Sequence, residues 1–204
     1  MPLIWGLLVI QIMKQLILAS SSPSRKKILE LLKIPFMVDA SNYQEDMTLK
    51  LEPKDLAKHL SLGKAQDTSV RHHNAVVLGA DSFAVSDGRV LLGKPHTREQ
   101  AKKTLMTLSG RAHSFITGFT IIDTDTRKQF SDVVETRVYF RKLTTAEIDS
   151  YLDREDVLER AGAYIIQGLG IVLIDKIEGS YSNVMGLPIS QILVALKRFN
   201  IKLL

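Results

Sequence analysis

The residues able to do chemistry fall into a few short segments. The run SSSPSR at residues 20–25 is followed at once by Lys26 and Lys27. Ser22 can cap a helix and Pro23 suits its first turn, which sets Arg25, Lys26 and Lys27 at a terminus that already carries partial positive charge and free N–H groups. Cations there destabilise the helix unless an anion neutralises them, so the segment reads as a phosphate site. A solvated basic helix face with a serine cap is the competing reading. In GADSF, residues 79–83, an aspartate interrupts an apolar run near the expected C-terminal end of a strand. Asp81 there could hold a divalent cation against a phosphate or take a proton from an attacking water, or it could simply end the strand in an Asx turn. The acidic pair Glu45 and Asp46 could add a second metal ligand or base, or be solvated surface. Lys64, in an expected helix, and Lys94, in LLGKPHT, are point-charge phosphate binders or surface lysines. Gln167 lies within AGAYIIQGLG, where glycines allow close approach and an amide can both donate to and accept from a flat base.

Other chemistries are excluded or unsupported. The chain has no cysteine, which removes a disulfide framework, a thiolate zinc site and a cysteine nucleophile, and fits a reducing cytosol. Its five histidines, at 59, 72, 73, 96 and 113, show no ligand spacing. There is no GxxxxGK[ST] loop, and Gly168 and Gly170 lack the third glycine and the following helix of a dinucleotide fingerprint. Lys and Arg exceed Asp and Glu by 27 to 22, a margin compatible with an anionic substrate, while no basic stripe interleaved with aromatics argues for nucleic acid. At 45% hydrophobic and 24% charged, the 204 residues are those of a globular chain able to bury a core as one domain. The apolar residues 1–12 are too short to span a membrane and lack the flanks of a signal peptide. They read as an extension before Met13, with a packed extra strand as the alternative, and residues 13–204 as the functional domain.

These side chains need elements to position them. Apolar spacing and turn residues predict a strand at 15–20, a helix after Pro23, a helix at 54–66, and a strand at 75–85 that breaks at Gly79. A helix at 97–108 is capped by Thr97, strands follow at 114–123 and 133–140, and Thr144 with Glu147 forms a capping box opening a helix at 144–152. Strands are expected at 163–167 and 171–177, and a closing amphipathic helix at 188–199. Alternating elements early and consecutive strands later predict an α/β fold with a mixed sheet.

In their order, LASSSPSR, LGADS, LGKP, LSGRAH with ITGF, AGAYIIQGLG and IEGSYSNVMGLP resemble the Maf family, named for septum formation and similar to nucleotide pyrophosphatases. The resemblance runs from residue 16 to the end of the chain. It implies an elongated mixed sheet flanked by helices, two lobes with a central cleft, of the Maf/ITPase-like anhydrolase kind. It also implies cleavage of a nucleoside triphosphate to monophosphate and pyrophosphate, in the cytoplasm, with magnesium or manganese as cofactor. Carried over by position, the resemblance makes Asp81, Glu45 and Lys94 catalytic. Ser20, Arg25, Lys64, Ser82 and Gln167 become substrate-binding, and Asp81 and Glu45 the metal ligands. AGAYIIQG is most like the branch acting on dTTP and UTP rather than on 7-methyl-GTP. The chain departs from the pattern at Ser24, where a second arginine is frequent, at Gln44 in place of an acid, and at Ser82, where threonine is usual. No membrane or nucleic-acid partner is expected, and a homodimer is compatible with the sequence. The rival readings are a nucleotide-binding regulator of cell division without turnover and a nucleic-acid-binding module that uses the basic surface.

Overall fold

The computed structural model describes residues 14–86, 88 and 90–201, so the expected extension at 1–12 lies outside the described residues. Among them, seven strands form one mixed sheet in the order β2-β1-β3-β5-β6-β7, with β4 added beside β3. Strand β1 (Gln15–Leu18) leads into helix α1 (Pro23–Leu31) and returns as β2 (Phe36–Val38). Helix α2 (Pro53–Ser69) then crosses to β3 (Ala75–Ser86), and both β2 and β3 run parallel to β1. After β4 (Val90–Leu92) and α3 (Arg98–Leu108) come two long antiparallel strands, β5 (Ala112–Asp123) and β6 (Gln129–Phe140). Helix α4 (Thr145–Leu152), two 3-10 segments at Ala161–Ala163 and Leu169–Leu173, β7 (Ile174–Glu178), α5 (Tyr181–Val184) and α6 (Ile189–Lys197) complete the chain. Among the described residues, no helix is long and apolar enough to cross a membrane.

The expected caps form. Thr97 Oγ1 accepts from the Gln100 N–H, and Thr144 and Glu147 make the reciprocal capping box. Other expectations are corrected, two of them at glycines. The strand at 75–85 does not break at Gly79 but runs through it for twelve residues. A Cβ on Gly79 would lie 2.5 Å from the Ser61 carbonyl oxygen, and one on Gly118 of β5 would lie 2.2 Å from that of Ala57. Glycine at these two places lets α2 lie directly on the sheet. Residues 163–167 are not a strand either. Gly162, Ala163 and Gly168 take φ of 75°, 60° and 112°, which turns the backbone out of the extended region, and the second expected strand, at 171–177, forms only as Ile174–Glu178, paired with β6. Strand β6 also begins four residues before the expected position 133, at Gln129.

Alternation along β3 divides the core. Val77 meets Ala65 of α2, and Phe83 and Val85 meet its Leu56 and Leu60, so one sheet face carries α2 along its length. On the other face, Val76, Leu78 and Ala80 pack with Leu29 of α1 and Ile192 of α6, whereas Ala84 packs with Leu105 of α3 and Ile148 of α4. Two helical groups thus cover the two ends of one face, with Ser82 between them.

Candidate active site

Strand β3 pairs with β1 through Leu78 and with β4 only from Ala84 onward. Between these, residues 79–83 have no strand partner on that side, and Asp81, Ser82 and Phe83 line a cavity of about 710 Å³, while the other edge is paired with β5. Asp81 and Ser82 sit in this window and point to opposite faces. The expectation that Asp81 marks a strand end is therefore corrected. It lies mid-strand, opposite Gly118, and the Asx-turn alternative falls with it.

On the α2 face, Asp81 is 6% exposed and accepts from Lys64 Nζ, which also meets Glu45 Oε1 at 2.8 Å. Burial pushes the Asp81 carboxyl above the usual range, Lys64 and Arg25 pull it down, and Glu45 adds to the rise. Glu45 reaches this place because its loop is tied to α2: Asp67 accepts from the Ser41 hydroxyl at 2.9 Å and the Asn42 N–H at 2.8 Å. Asp46 of the same acidic pair turns away and accepts from Thr48.

On the opposite face stands Arg25. Ser22 caps α1, its hydroxyl accepting from the Arg25 N–H, Pro23 occupies the first turn, and no acidic residue does. The guanidinium is held on all three nitrogens. Nε donates to the Gly186 carbonyl at 3.1 Å, Nη1 to Ser20 Oγ at 3.2 Å and Nη2 to Ser82 Oγ at 3.0 Å. Burial lowers its pKa, and the Asp81 and Glu45 carboxylates raise it. One N–H on each terminal nitrogen is left for an anion.

A second cavity of about 170 Å³ adjoins the first and shares Ser22, Arg25, Ser82 and Arg160 with it. Gln167 lines it, and its Nε2 is buried without a hydrogen-bond partner among the described residues. An orphaned buried donor is costly unless something else satisfies it. Ser24 lines this cavity rather than the phosphate-like one. Of the predicted residues, Ser20, Arg25, Glu45, Lys64, Asp81, Ser82 and Lys94 share the larger cavity and Gln167 takes the smaller. Lys94 stands apart from the buried group. Its side chain is 55% exposed and pairs at 3.0 Å with Glu159, itself 72% exposed.

Lys64 and Asp81 thus stand on one face of β3 and Arg25 on the other. The family model described as Maf-like protein matches residues 15–199. This chain belongs to the Maf family. A Bacillus velezensis Maf relative named dTTP/UTP pyrophosphatase is 42% identical over 189 residues, 93% of this chain and 98% of the relative. One of the same name from Alkaliphilus oremlandii is 42% identical over 194 residues, covering 94% and 100%, and one from Bacillus cereus is 41% identical over 189 residues, covering 93% and 92%. The likeness to the Staphylococcus aureus Ham1 protein, with a TM-score of 0.39 and 11% identity over 62% of this chain and 72% of that one, is too slight to carry a conclusion.

The donor set of this Maf chain suits a hard divalent ion. Asp81 and Glu45 already converge on one cation, the Lys64 ammonium. No cluster of three or more His, Asp or Glu that could hold a metal occurs among the described residues, so phosphate oxygens and water would have to complete the shell, as magnesium sites commonly require. Sequence reasoning missed Gly186, because a carbonyl acceptor has no side-chain signature. It also missed Thr117, wholly buried behind Ser82 within the quoted ITGF motif.

Proposed function

We propose that this chain hydrolyses pyrimidine nucleoside triphosphates, dTTP and UTP foremost, to the monophosphate and pyrophosphate. The observation that carries the reading is that the two cavities share lining residues, Arg25 and Ser82 among them, the larger holding Lys64 and Asp81 and the smaller lined by Gln167, whose amide nitrogen is unpaired among the described residues. The names of the relatives support the same substrates. The triphosphate lies in the larger cavity, with Arg25 and Lys64 binding its oxygens and Lys94 closing on it from the mouth. The base enters the smaller cavity, where Gln167 Nε2 donates to a pyrimidine carbonyl and the amide oxygen accepts from the ring N–H.

Water attacks the α-phosphorus, the bond from that phosphorus to the oxygen bridging to the β-phosphorus breaks, and pyrophosphate leaves. Asp81 orients the water and takes its proton, and the elevation of its pKa by burial makes it a better base than a solvated carboxylate. Arg25 and Lys64, both held in fixed positions by hydrogen bonds and ion pairs, offset charge on the phosphates. A magnesium or manganese ion bound by Asp81 and Glu45 would add neutralisation of the leaving pyrophosphate. A cytoplasmic location belongs to the same reading, because nucleoside triphosphates are pooled there.

Incubation of the purified protein with magnesium and each of dTTP, UTP, CTP, ATP, GTP and 7-methyl-GTP tests the reading. Monophosphate and pyrophosphate should appear fastest from dTTP and UTP. Diphosphate with inorganic phosphate would overturn the reaction, and equal rates on all bases would overturn the selectivity.

A further inference from the structure

Arg25 is only as fixed as the groups that accept from it, and one of them, Ser82 Oγ, is itself held from behind. Thr117 lies directly opposite Ser82 in the β3–β5 register, is 0% exposed, and places Oγ1 2.9 Å from Ser82 Oγ. Thr117 Oγ1 also reaches the Asn183 carbonyl at 3.4 Å, while Ser82 Oγ reaches the Gly186 carbonyl at 3.5 Å. Two proton arrangements satisfy this pair. Either Ser82 donates to Thr117 and Thr117 to Asn183, or Thr117 donates to Ser82 and Ser82 to Gly186. In both, a hydroxyl proton ends on a carbonyl of the segment between Asn183 and Gly186, and Ser82 Oγ keeps a lone pair for Arg25 Nη2. The same segment supplies the Gly186 carbonyl that takes Arg25 Nε, and it is pinned to the sheet by Asn183 Nδ2, 3.0 Å from Thr136 Oγ1 and 3.1 Å from the Phe115 carbonyl.

We propose that Thr117 is a positioning residue for anion binding: it touches no substrate, but its hydroxyl ties Ser82 to the Asn183–Gly186 segment and so fixes the plane of the Arg25 guanidinium. This rests on the reading of the larger cavity as a polyphosphate site. The isosteric Thr117→Val removes the hydroxyl and leaves the packing. Ser82 then loses its partner across the sheet, Arg25 samples other orientations, and affinity falls while the chemical step at Asp81 is untouched.

The test is a double-mutant cycle of Thr117→Val with Ser82→Ala, read as the dissociation constant for inorganic tripolyphosphate by calorimetry and as KM and kcat for dTTP. Thr117→Val should weaken tripolyphosphate binding and raise KM about fivefold, the loss of one hydrogen bond's worth, with kcat within about twofold. Thr117→Ser should restore both. In the Ser82→Ala background Thr117→Val should add little, since a residue acting through Ser82 has nothing left to act on. Unchanged binding in a folded Thr117→Val protein, or an undiminished effect in the Ser82→Ala background, would overturn the proposal. So would loss of the folded state in both Thr117→Val and Thr117→Ala, which would assign Thr117 to the core alone. Calorimetry keeps the outcomes apart: a parent that binds tripolyphosphate but hydrolyses no nucleotide contradicts the proposed reaction and leaves the role of Thr117 to be read from the binding constants.

Discussion

Acid should destabilise this protein through one histidine. His113 on β5 is 3% exposed, encircled by Phe115, Phe140 and Tyr164, and its Nε2 lies 3.0 Å from the Tyr164 hydroxyl. Its Nδ1 has no hydrogen-bond partner among the described residues, and burial lowers its pKa from 6.5 to about 4. The native state therefore holds His113 neutral while the unfolded chain takes up a proton near pH 6.5, so stability is present at neutral pH and is lost as pH falls from 6.5 toward 4. At pH 5 the unfolded histidine is almost fully protonated and the native one hardly at all, a difference of about 2 kcal/mol relative to pH 8. For a chain of this size that corresponds to a melting temperature lower by ~4–8 °C. Urea unfolding of the parent and of His113→Phe, at pH 8, 7, 6 and 5, isolates this contribution. Carboxylates titrate in both chains, whereas the phenyl ring keeps the edge-on packing and cannot be protonated. The variant starts less stable, since Tyr164 loses a partner, but the gap between the two should close by about 2 kcal/mol as pH falls to 5. A gap constant with pH would refute the reasoning. Because Tyr164 also lines the smaller cavity, that end of the cleft should loosen first in acid.

Asp81→Asn should lower kcat at least ~100-fold with the melting temperature changed little, measured by pyrophosphate release, because shape is kept while the base is lost; near-parent turnover would remove Asp81 from the mechanism. Gly118→Ala should destabilise the fold by at least ~2 kcal/mol in urea unfolding, since its Cβ would meet the Ala57 carbonyl of α2 at 2.2 Å. The same displacement of α2 should carry Lys64 away from Asp81 and lower activity below native protein content. Gln167→Ala should shrink the preference for dTTP and UTP over ATP about tenfold, read as the ratio of kcat/KM values.

Much of the site was legible because its signals are local. A serine followed by proline before cations announces a capped helix with an anion-ready end, and Arg25 stands there; Thr97 and Thr144 announced their helices likewise. What was not legible depends on partners distant in sequence. From sequence alone Gly79 reads as a break, because a glycine in a strand looks like weakness until the helix lying on it is known. Ile165 and Ile166 suggested a strand, but positive φ at Gly162, Ala163 and Gly168 bends their backbone around the smaller cavity. Asp81 and Ser82 point to opposite faces of an unbroken strand, and nothing local indicates that Lys64 meets one and Arg25 the other. The motif LGKP carries no sign that Lys94, which lines the larger cavity, pairs with a carboxylate 65 residues away.

The central claim is that water held at Asp81 attacks the α-phosphorus, and hydrolysis of dTTP in water enriched in oxygen-18, followed by mass spectrometry of both products, tests it most directly. The heavy oxygen should appear in the thymidine monophosphate, with pyrophosphate unlabelled. Label in the pyrophosphate would place the attack on the β-phosphorus, and release of labelled inorganic phosphate would place it on the γ-phosphorus; either result would contradict the proposed attack on the α-phosphorus.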